Sequence, residues 1–406
     1  MKKDNEKRVP ELRFKGFVGD WEQRKWSDVI NISNIMVDPR LAAFKNLPHV
    51  GPANIESGTG RLLNNIRTVN EDGLISGKFV FKSDDVIYSK IRPNLRKFAW
   101  PKFGGLASAD TYVLNSINLD ILTQGFIFCT VQTSNFFRYS VSVSMRTGMP
   151  KINREDLGLY YFFVPSKSEQ NQIAIFWTLL DNILALHERK LALLKKLKTA
   201  YLQRLFPENG NTTPRLRFAG FADDWEQRKF KDIYEKVIEK NDLTISRDRV
   251  ISVAQMQWGK RPDKSTDEYM KSYNIMRIGD IAFEGNKSKN FRYGRFVENT
   301  LGTGLVSHVF DVFRPKIRLD FGYWKYYIHT ERVMGPVLRV TTTKSTMMTN
   351  LVAKDFLKHD VRMPGQDEQK KIASFILSLD NAITLHQRVI DKLQQLKQAY
   401  LQKLFV

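Results

Sequence analysis

Four short stretches of this chain mix cations, amides and hydroxyls in the way that suits contact with nucleic acid. Tyr88-Ser89-Lys90-Ile91-Arg92-Pro93-Asn94-Leu95-Arg96-Lys97 follows a β-rich run and sets Ser89, Lys90, Arg92, Asn94, Arg96 and Lys97 on a proline-stiffened loop. Arginine and lysine there can neutralise phosphates or reach guanine O6 and N7, and Asn94 can pair bidentately with adenine. A second loop, 284–295, offers Asn286, Lys287, Lys289, Asn290, Arg292 and Arg295 after an equivalent run. The other two stretches, 144–153 with Arg146, Lys151 and Asn153, and 341–350 with Thr343, Lys344 and Ser345, lie just before Asp156 and Asp355, which are 199 positions apart. One structural position with different chemistry is what a pair of specificity loops requires. A solvated surface loop is the alternative for any one of them.

No catalytic constellation accompanies these residues. The chain has no Pro-Pro pair, so the Asn/Asp-Pro-Pro-Tyr/Phe motif that aligns an adenine amino group for methylation is missing. Gly58-Thr59-Gly60 and Gly302-Thr303-Gly304 stop short of a dinucleotide loop, and no Gly-x-x-x-x-Gly-Lys-Ser/Thr phosphate loop occurs. Pro262-Asp263, with Asp267, Glu268 and Lys271, is a poor imitation of a metal-sharing nuclease arrangement. The six histidines are scattered; His187 and His386 could ligate a metal, but a polar pair within a coiled-coil seam suits their positions better.

The elements that must carry these loops are written twice. Pro10-Glu11-Leu12-Arg13-Phe14, Gly16-Phe17 and Asp20-Trp21-Glu22-Gln23-Arg24-Lys25 return as Pro214-Arg215-Leu216-Arg217-Phe218, Gly220-Phe221 and Asp224-Trp225-Glu226-Gln227-Arg228-Lys229. Ala200-Tyr201-Leu202-Gln203-Arg204-Leu205-Phe206 likewise returns as Ala399-Tyr400-Leu401-Gln402-Lys403-Leu404-Phe405. A period of half the chain excludes a solenoid of short repeats and indicates two unlike globules in one common frame. The frame motif itself is expected to be structural, because a reader of sequence should differ between the halves and this motif does not. Within the interiors, Asp85-Val86-Ile87-Tyr88 answers Asp280-Ile281-Ala282-Phe283, and Gly105-Leu106-Ala107-Ser108 answers Gly304-Leu305-Val306-Ser307, which predicts a shared α/β fold.

Each half ends in a predicted long helix. Ile173, Phe176, Leu180, Ile183, His187, Lys190, Leu194, Leu197 and Tyr201 step by three and four, as do Ile372, Phe375, Leu379, Ala382, His386, Val389, Leu393, Leu396 and Tyr400. That is a heptad seam, and antiparallel pairing of the two helices is the simplest way to bury it; two separate oligomerisation tails are the alternative. Residues 187–204 hold six Lys or Arg against Glu188 alone, which suits phosphates or a solvated flank.

Composition agrees with a binding role. Of 406 residues, 64 are Lys or Arg and 43 Asp or Glu, a net charge of +21 that points to an anionic partner. No apolar run approaches the roughly 20 residues of a spanning helix, and the charged first residues have no apolar stretch behind them, so neither a membrane partner nor a signal peptide is expected. Cys129 alone can form neither an internal disulfide nor a cysteine zinc site, which favours a cytoplasmic location.

Two variable globules, each followed by a helix bearing Asp181-Asn182-Ile183 to Leu186-His187 or Asp380-Asn381-Ala382-Ile383 to Leu385-His386, and each ending Ala-Tyr-Leu-Gln-Arg/Lys-Leu-Phe, resemble the specificity subunits of type I restriction-modification systems. The resemblance spans essentially the whole chain. It implies an α+β fold, a pseudo-twofold of two α/β target-recognition domains with their long helices paired as an antiparallel coiled coil. The division would be an N-terminal arm at 1–20, domains at 21–166 and 225–365, helices at 167–206 and 366–406, and a linker at 207–224. It further implies a non-catalytic subunit that reads a bipartite, asymmetric site on double-stranded DNA, with the helices as ruler. Two methyltransferase subunits and the motor-nuclease subunits would be its partners, and S-adenosylmethionine, ATP and Mg2+ would belong to them, with no cofactor in this chain. An autonomous DNA-binding regulator or architectural protein is the other reading.

Overall fold

The computed structural model describes residues 9–144, 150–208, 211–260, 266–343 and 348–406. The chain divides into two units: residues 1–188 with 388–406, and residues 189–387. Each unit therefore joins one globule to the start of its own long helix and to the end of the other.

In unit 1 the frame strand Glu22–Lys25 pairs antiparallel with Tyr161–Val164, the strand that leads into the helix Lys167–Arg204. The globule thus begins and ends on one two-stranded ribbon. Between these strands lies a four-stranded sheet in the order Ile30–Ile32, Thr111–Ser116, Val86–Ser89, Phe98–Ala99. A five-stranded sheet, with a single parallel pairing between Pro48–Val50 and Gly105–Ala107, covers it. In unit 2 the ribbon is Glu226–Lys229 with Asp360–Met363, and the four-stranded sheet runs Tyr234–Val237, Val312–Pro315, Ile281–Glu284, Arg295–Glu298. The strands matched from sequence, Val86–Ser89 and Ile281–Glu284, hold the same third place in their sheets. The interiors share a fold, as their sequence skeleton predicts.

Aromatic rings fill the cores. In unit 1 Trp26 stacks on Phe136 at 5.2 Å, and Phe405 from the end of the second long helix packs edge-on against Trp21 and Trp177. In unit 2 Phe206, at the end of the first long helix, meets Tyr323 and Tyr327. The conserved Leu-Phe endings are plugs in the globule cores, a role their spacing alone does not disclose. Each plug and its large ring neighbours remove on the order of 150 Å² of apolar surface per ring from water.

The frame arginines make the second tie. Arg13 donates through Nε and Nη2 to Glu169, both at 2.7 Å, and Arg217 does the same to Glu368 at 2.7 and 2.8 Å. The two glutamates are buried in the first turns of the long helices, where the helix macrodipole favours a carboxylate. Leu12 N bonds to Lys403 O and Leu216 N to Arg204 O, so each frame segment also holds the closing turn of a helix. The frame is structural, as the sequence indicates.

The helices Lys167–Arg204 and Gln366–Lys403 are antiparallel where they meet in each unit: Phe176 lies against Tyr400 in unit 1, and Tyr201 against Phe375 in unit 2. The seam differs from the predicted one at alternate positions. Trp177, Leu184 and Leu191 are buried while Ile183, Lys190 and Leu197 face outward, and Ile376 and Ile390 are buried in preference to Phe375 and Val389. Spacing cannot choose between these registers, because residues three and four along a 3.6-residue helix flank the same line. Packing chooses, and the more inclusive stripe carries Trp177.

That corrected seam brings charge inside. Lys397 Nζ lies 2.5 Å from Asp181 in unit 1, with side chains only 11% and 20% exposed, and Lys198 lies 2.5 Å from Asp380 in unit 2. Burial pushes the Asp181 carboxyl up, and Lys397 opposes the shift. Two partly desolvated pairs cost solvation and return registry, since any slip would strand a charge. Removing one partner, as in Lys397→Ala, is expected to cost about 3 kcal/mol, whereas Asp181→Leu with Lys397→Met should cost much less; urea unfolding of the three proteins checks this.

Glu298 is a second buried acid, 3% exposed, and neither of its carboxylate oxygens has a hydrogen-bond partner. Burial pushes its carboxyl up to about 9, against a weaker pull from Lys325. Between the ordinary carboxylate range and that value the folded chain keeps a proton that the unfolded chain has released, so stability falls as pH rises through this window. Glu298→Gln is expected to stabilise more near pH 8.5 than near pH 5.5, with the gain growing by about 3 kcal/mol; an equal gain at both values, read from urea midpoints, would refute the assignment.

Candidate nucleic-acid interface

In unit 1 the two stretches marked out by sequence form one strip. After the strand Val86–Ser89 the chain turns through Pro93–Leu95, between Arg92 and Arg96, both left-handed with φ 48°. Left-handed backbone costs a non-glycine residue roughly 1 to 2 kcal/mol, so the loop must be held from outside. Arg92 N donates to Pro150 O at 2.7 Å, Ile152 N donates to Lys90 O at 2.9 Å, and Ile91 and Lys151 form an antiparallel bridge.

The strip divides its side chains between support and surface. Ser89 is buried and its Oγ donates to Ile91 O. Arg96 donates to Gln132 O at 2.5 Å and stacks 4.9 Å from the Phe137 ring, Lys97 donates to Pro52 O at 2.5 Å, and Asn153 caps the helix Arg154–Gly158 by accepting from Asp156 N. Lys90 is half-buried over the Tyr112 ring; burial, with Lys151 and Arg154 nearby, lowers its pKa. Arg92, Asn94 and Lys151 are exposed. Arg146 lies outside the described residues.

Unit 2 builds the same junction from other residues. Gly285 follows the strand Ile281–Glu284, and a Cβ there would sit 2.1 Å from Thr349 O, so only glycine lets the two backbones meet. Thr349 N donates to Gly285 O at 2.9 Å, and Asn286 bridges to Met348. Beneath this crossing the buried Glu284 accepts from Asn286 at 2.6 Å and from Arg295 at 2.7 Å, and Arg295 also reaches Ala254 O and lies 5.0 Å from the Phe291 ring. Lys287, Lys289, Asn290 and Arg292 are exposed on the loop above. Thr343, in the short strand Thr342–Thr343, donates to Asn350 O at 3.4 Å. Lys344 and Ser345 lie outside the described residues.

Sequence reading passed over two features of this face. Glu284, two residues before Asn286, is the acid that pins Asn286 and Arg295, and that spacing was the available signal. Trp258, 42% exposed at the end of the hairpin Ile251–Ser252 with Gln257–Trp258, carries Arg249 4.7 Å from its ring, an aromatic and a cation that no repeat marks.

Elsewhere the chemistry is structural. Among the described residues no three His, Cys, Asp or Glu side chains group as metal ligands, and no helix is long and apolar enough to cross a membrane. The run with Pro262 and Asp263 lies outside the described residues. Cys129 is buried in the unit 1 core, which pushes its thiol pKa up and leaves it unreactive. His187 and His386 are half-buried at the corrected seam, one in each unit.

Comparison with known proteins supplies the class. The family model for the type I restriction modification DNA specificity domain matches twice, at residues 19–196 and 222–395. The type I restriction enzyme EcoDI specificity subunit of Escherichia coli is 34% identical over 154 residues, which are 38% of this chain and a third (33%) of that relative's length. The MjaVIII specificity subunit of Methanocaldococcus jannaschii is 19% identical over 96% of this chain and 91% of its own. The solved type I restriction-modification S subunit of M. genitalium has the same fold, with a TM-score of 0.59 at 12% identity over 98% of this chain and 99% of that one. A chain from a solved type I R-M system matches with a TM-score of 0.53 at 17% identity, over 94% of this chain and 97% of its own. With its model matched in both halves of the sequence, the chain belongs to the family of type I restriction-modification specificity subunits.

Proposed function

We propose that this specificity subunit reads a bipartite, asymmetric site on double-stranded DNA, one half-site per globule, and performs no chemistry itself. The observation that carries the proposal is the paired strip. In both units a loop leaving the third strand of the four-stranded sheet is bonded through its backbone to a second loop, at Arg92–Pro150 and at Gly285–Thr349. The two strips leave equivalent strands and carry different sequences. Arg92, Asn94 and Lys151 form the DNA-contacting set in unit 1, with Lys90 behind them, and Lys287, Lys289, Asn290 and Arg292 form it in unit 2, base readers and phosphate contacts together. Ser89, Arg96, Lys97, Asn153, Asn286 and Arg295 act one step back, holding the loops in shape through the bonds described above. Arg146, Thr343, Lys344 and Ser345 complete the two faces in this proposal, on sequence grounds.

The helices serve as ruler and as platform. The two half-sites should lie about one helical turn, near 10 bp, apart centre to centre, on one face of the duplex. Away from the seam, Leu186 and Leu385 occupy equivalent positions and are 63% and 61% exposed, and Leu179 and Leu193 are exposed at 56% and 59%. Apolar stripes of this kind suit the docking of two methyltransferase subunits, which would supply S-adenosylmethionine chemistry and in turn carry the ATP- and Mg2+-dependent motor-nuclease subunits. The net charge of +21 suits the phosphate backbone.

Co-expression with the methyltransferase subunit and long-read mapping of modified adenines is expected to return one two-part motif with unlike halves. Site-specific binding by the chain alone, with no methyltransferase retained and no modified adenine, would instead favour a free-standing regulator. In the complex, Arg92→Ala should relax discrimination at one base position of one half-site by about 1 to 3 kcal/mol and leave the other half untouched. Lys289→Ala, at a phosphate contact, should weaken binding evenly across sequences and reduce the salt slope by about 1; titrations over a salt series separate the two behaviours.

A further inference from the structure

Beyond the frame forks and the aromatic plugs, each globule meets the helix pair of its own unit through a polar side chain of its variable interior, and the two contacts are chemically different. In unit 1 the guanidinium of Arg61 pairs with Glu188 on the first long helix and, at 2.9 Å, with Glu56 of its own turn. That turn is stiffened from within, since Thr59 Oγ1 donates to Glu56 at 2.8 Å and accepts from Arg61 N at 3.2 Å. Asp181 lies close enough to Arg61 for the guanidinium to favour its ionised form, so the tie lands beside the seam pair Asp181–Lys397. In unit 2 the globule uses a phenol. Tyr326, on the helix Phe321–His329, donates to Asp380 Oδ2 at 2.7 Å, while Asp380 Oδ1 takes Lys198 at 2.5 Å and the Lys198 ammonium lies 5.2 Å from the Tyr326 ring.

Space beside each tie gives it leverage. A cavity of about 240 Å³ borders Arg61, Asp181, Glu188 and Lys397, and one of about 430 Å³ borders Lys198, Tyr326, His329 and Asp380. Close apolar packing does not fill the junction at these points, so the polar bond adds, on this side of the globule, to the hold of the frame forks and aromatic plugs. The constant helices offer the same aspartate in both halves, whereas position 188 is Glu and its equivalent 387 is Gln. A variable globule must therefore bring its own partner, and these two bring different ones.

We propose that Arg61 and Tyr326 are specificity-determining positioning residues, each setting the angle of its globule on the helix pair and thereby the gap lengths between half-sites that the complex accepts. The inference rests on the bipartite reading above. Its test uses the full-length chain co-expressed with the methyltransferase subunit, against plasmids whose two half-sites are separated by a graded series of gaps. The unsubstituted complex is expected to prefer one gap. Arg61→Ala, and Glu188→Gln, which leaves Arg61 on Glu56, should each raise methylation at the neighbouring gaps relative to the preferred one by roughly fivefold, the effect of losing one partly exposed ion pair. Both half-sequences should stay the same, and Arg61→Lys, which keeps a cation facing Glu188 and Glu56, should keep the profile narrower than Arg61→Ala does. Tyr326→Phe should broaden the profile as Arg61→Ala does. A gap profile unchanged in Glu188→Gln and Tyr326→Phe, or a drop that is equal at every gap, would overturn the proposal. Failure of the unsubstituted complex to show any two-part motif would overturn the bipartite reading itself, a separate result.

Discussion

An aspartate and a lysine drawn out of water between two helices govern much of this architecture. Asp181 with Lys397, and Asp380 with Lys198, sit at equivalent places in the two units, each beside a stripe of buried apolar side chains. Apolar burial tolerates a slip of register; a desolvated charge does not. The pairs lower the stability that a fully apolar seam would reach and exclude every register but one.

The same division between what is held and what is free runs through the globules. Everything common to the two halves is a fastening: the ribbon strands, the Arg13–Glu169 and Arg217–Glu368 forks, and the Phe206 and Phe405 plugs. The most divergent sequence lies between the ribbon strands, which enter and leave each globule side by side. An insert whose ends are already together adds little loop-closure entropy to folding. The frame can accept unlike interiors for that reason, and the sheet order they share is the minimum needed to bring the reading loop to the same place.

Much of this was legible in the sequence, and the limits have physical causes. The doubled frame, the two long helices and the matched strands 86–89 and 281–284 follow from repeats and spacing, whereas the meeting of residues 89–97 with 150–153 is seen only in the folded chain. The seam register did not, because steps of three and four are degenerate on an isolated helix and only the packing of Trp177 and its neighbours breaks the tie. Arg96, Lys97 and Arg295 are basic residues on basic loops, and composition cannot show that each also bonds within the protein, to Gln132, Pro52 and Glu284. The arginine and tyrosine that tie globule to helix carry no motif, since each solves its half's problem separately.

One property of the strips reaches beyond the present sequence. Their crossings are made by main-chain atoms, Arg92 N to Pro150 O and Thr349 N to Gly285 O, so the path of each loop depends little on what its exposed residues are. Arg92, Asn94, Lys289 or Asn290 can then be exchanged without disturbing the core that supports them. Substitution at such positions changes the surface each strip presents while the main-chain crossing beneath it stays as it is.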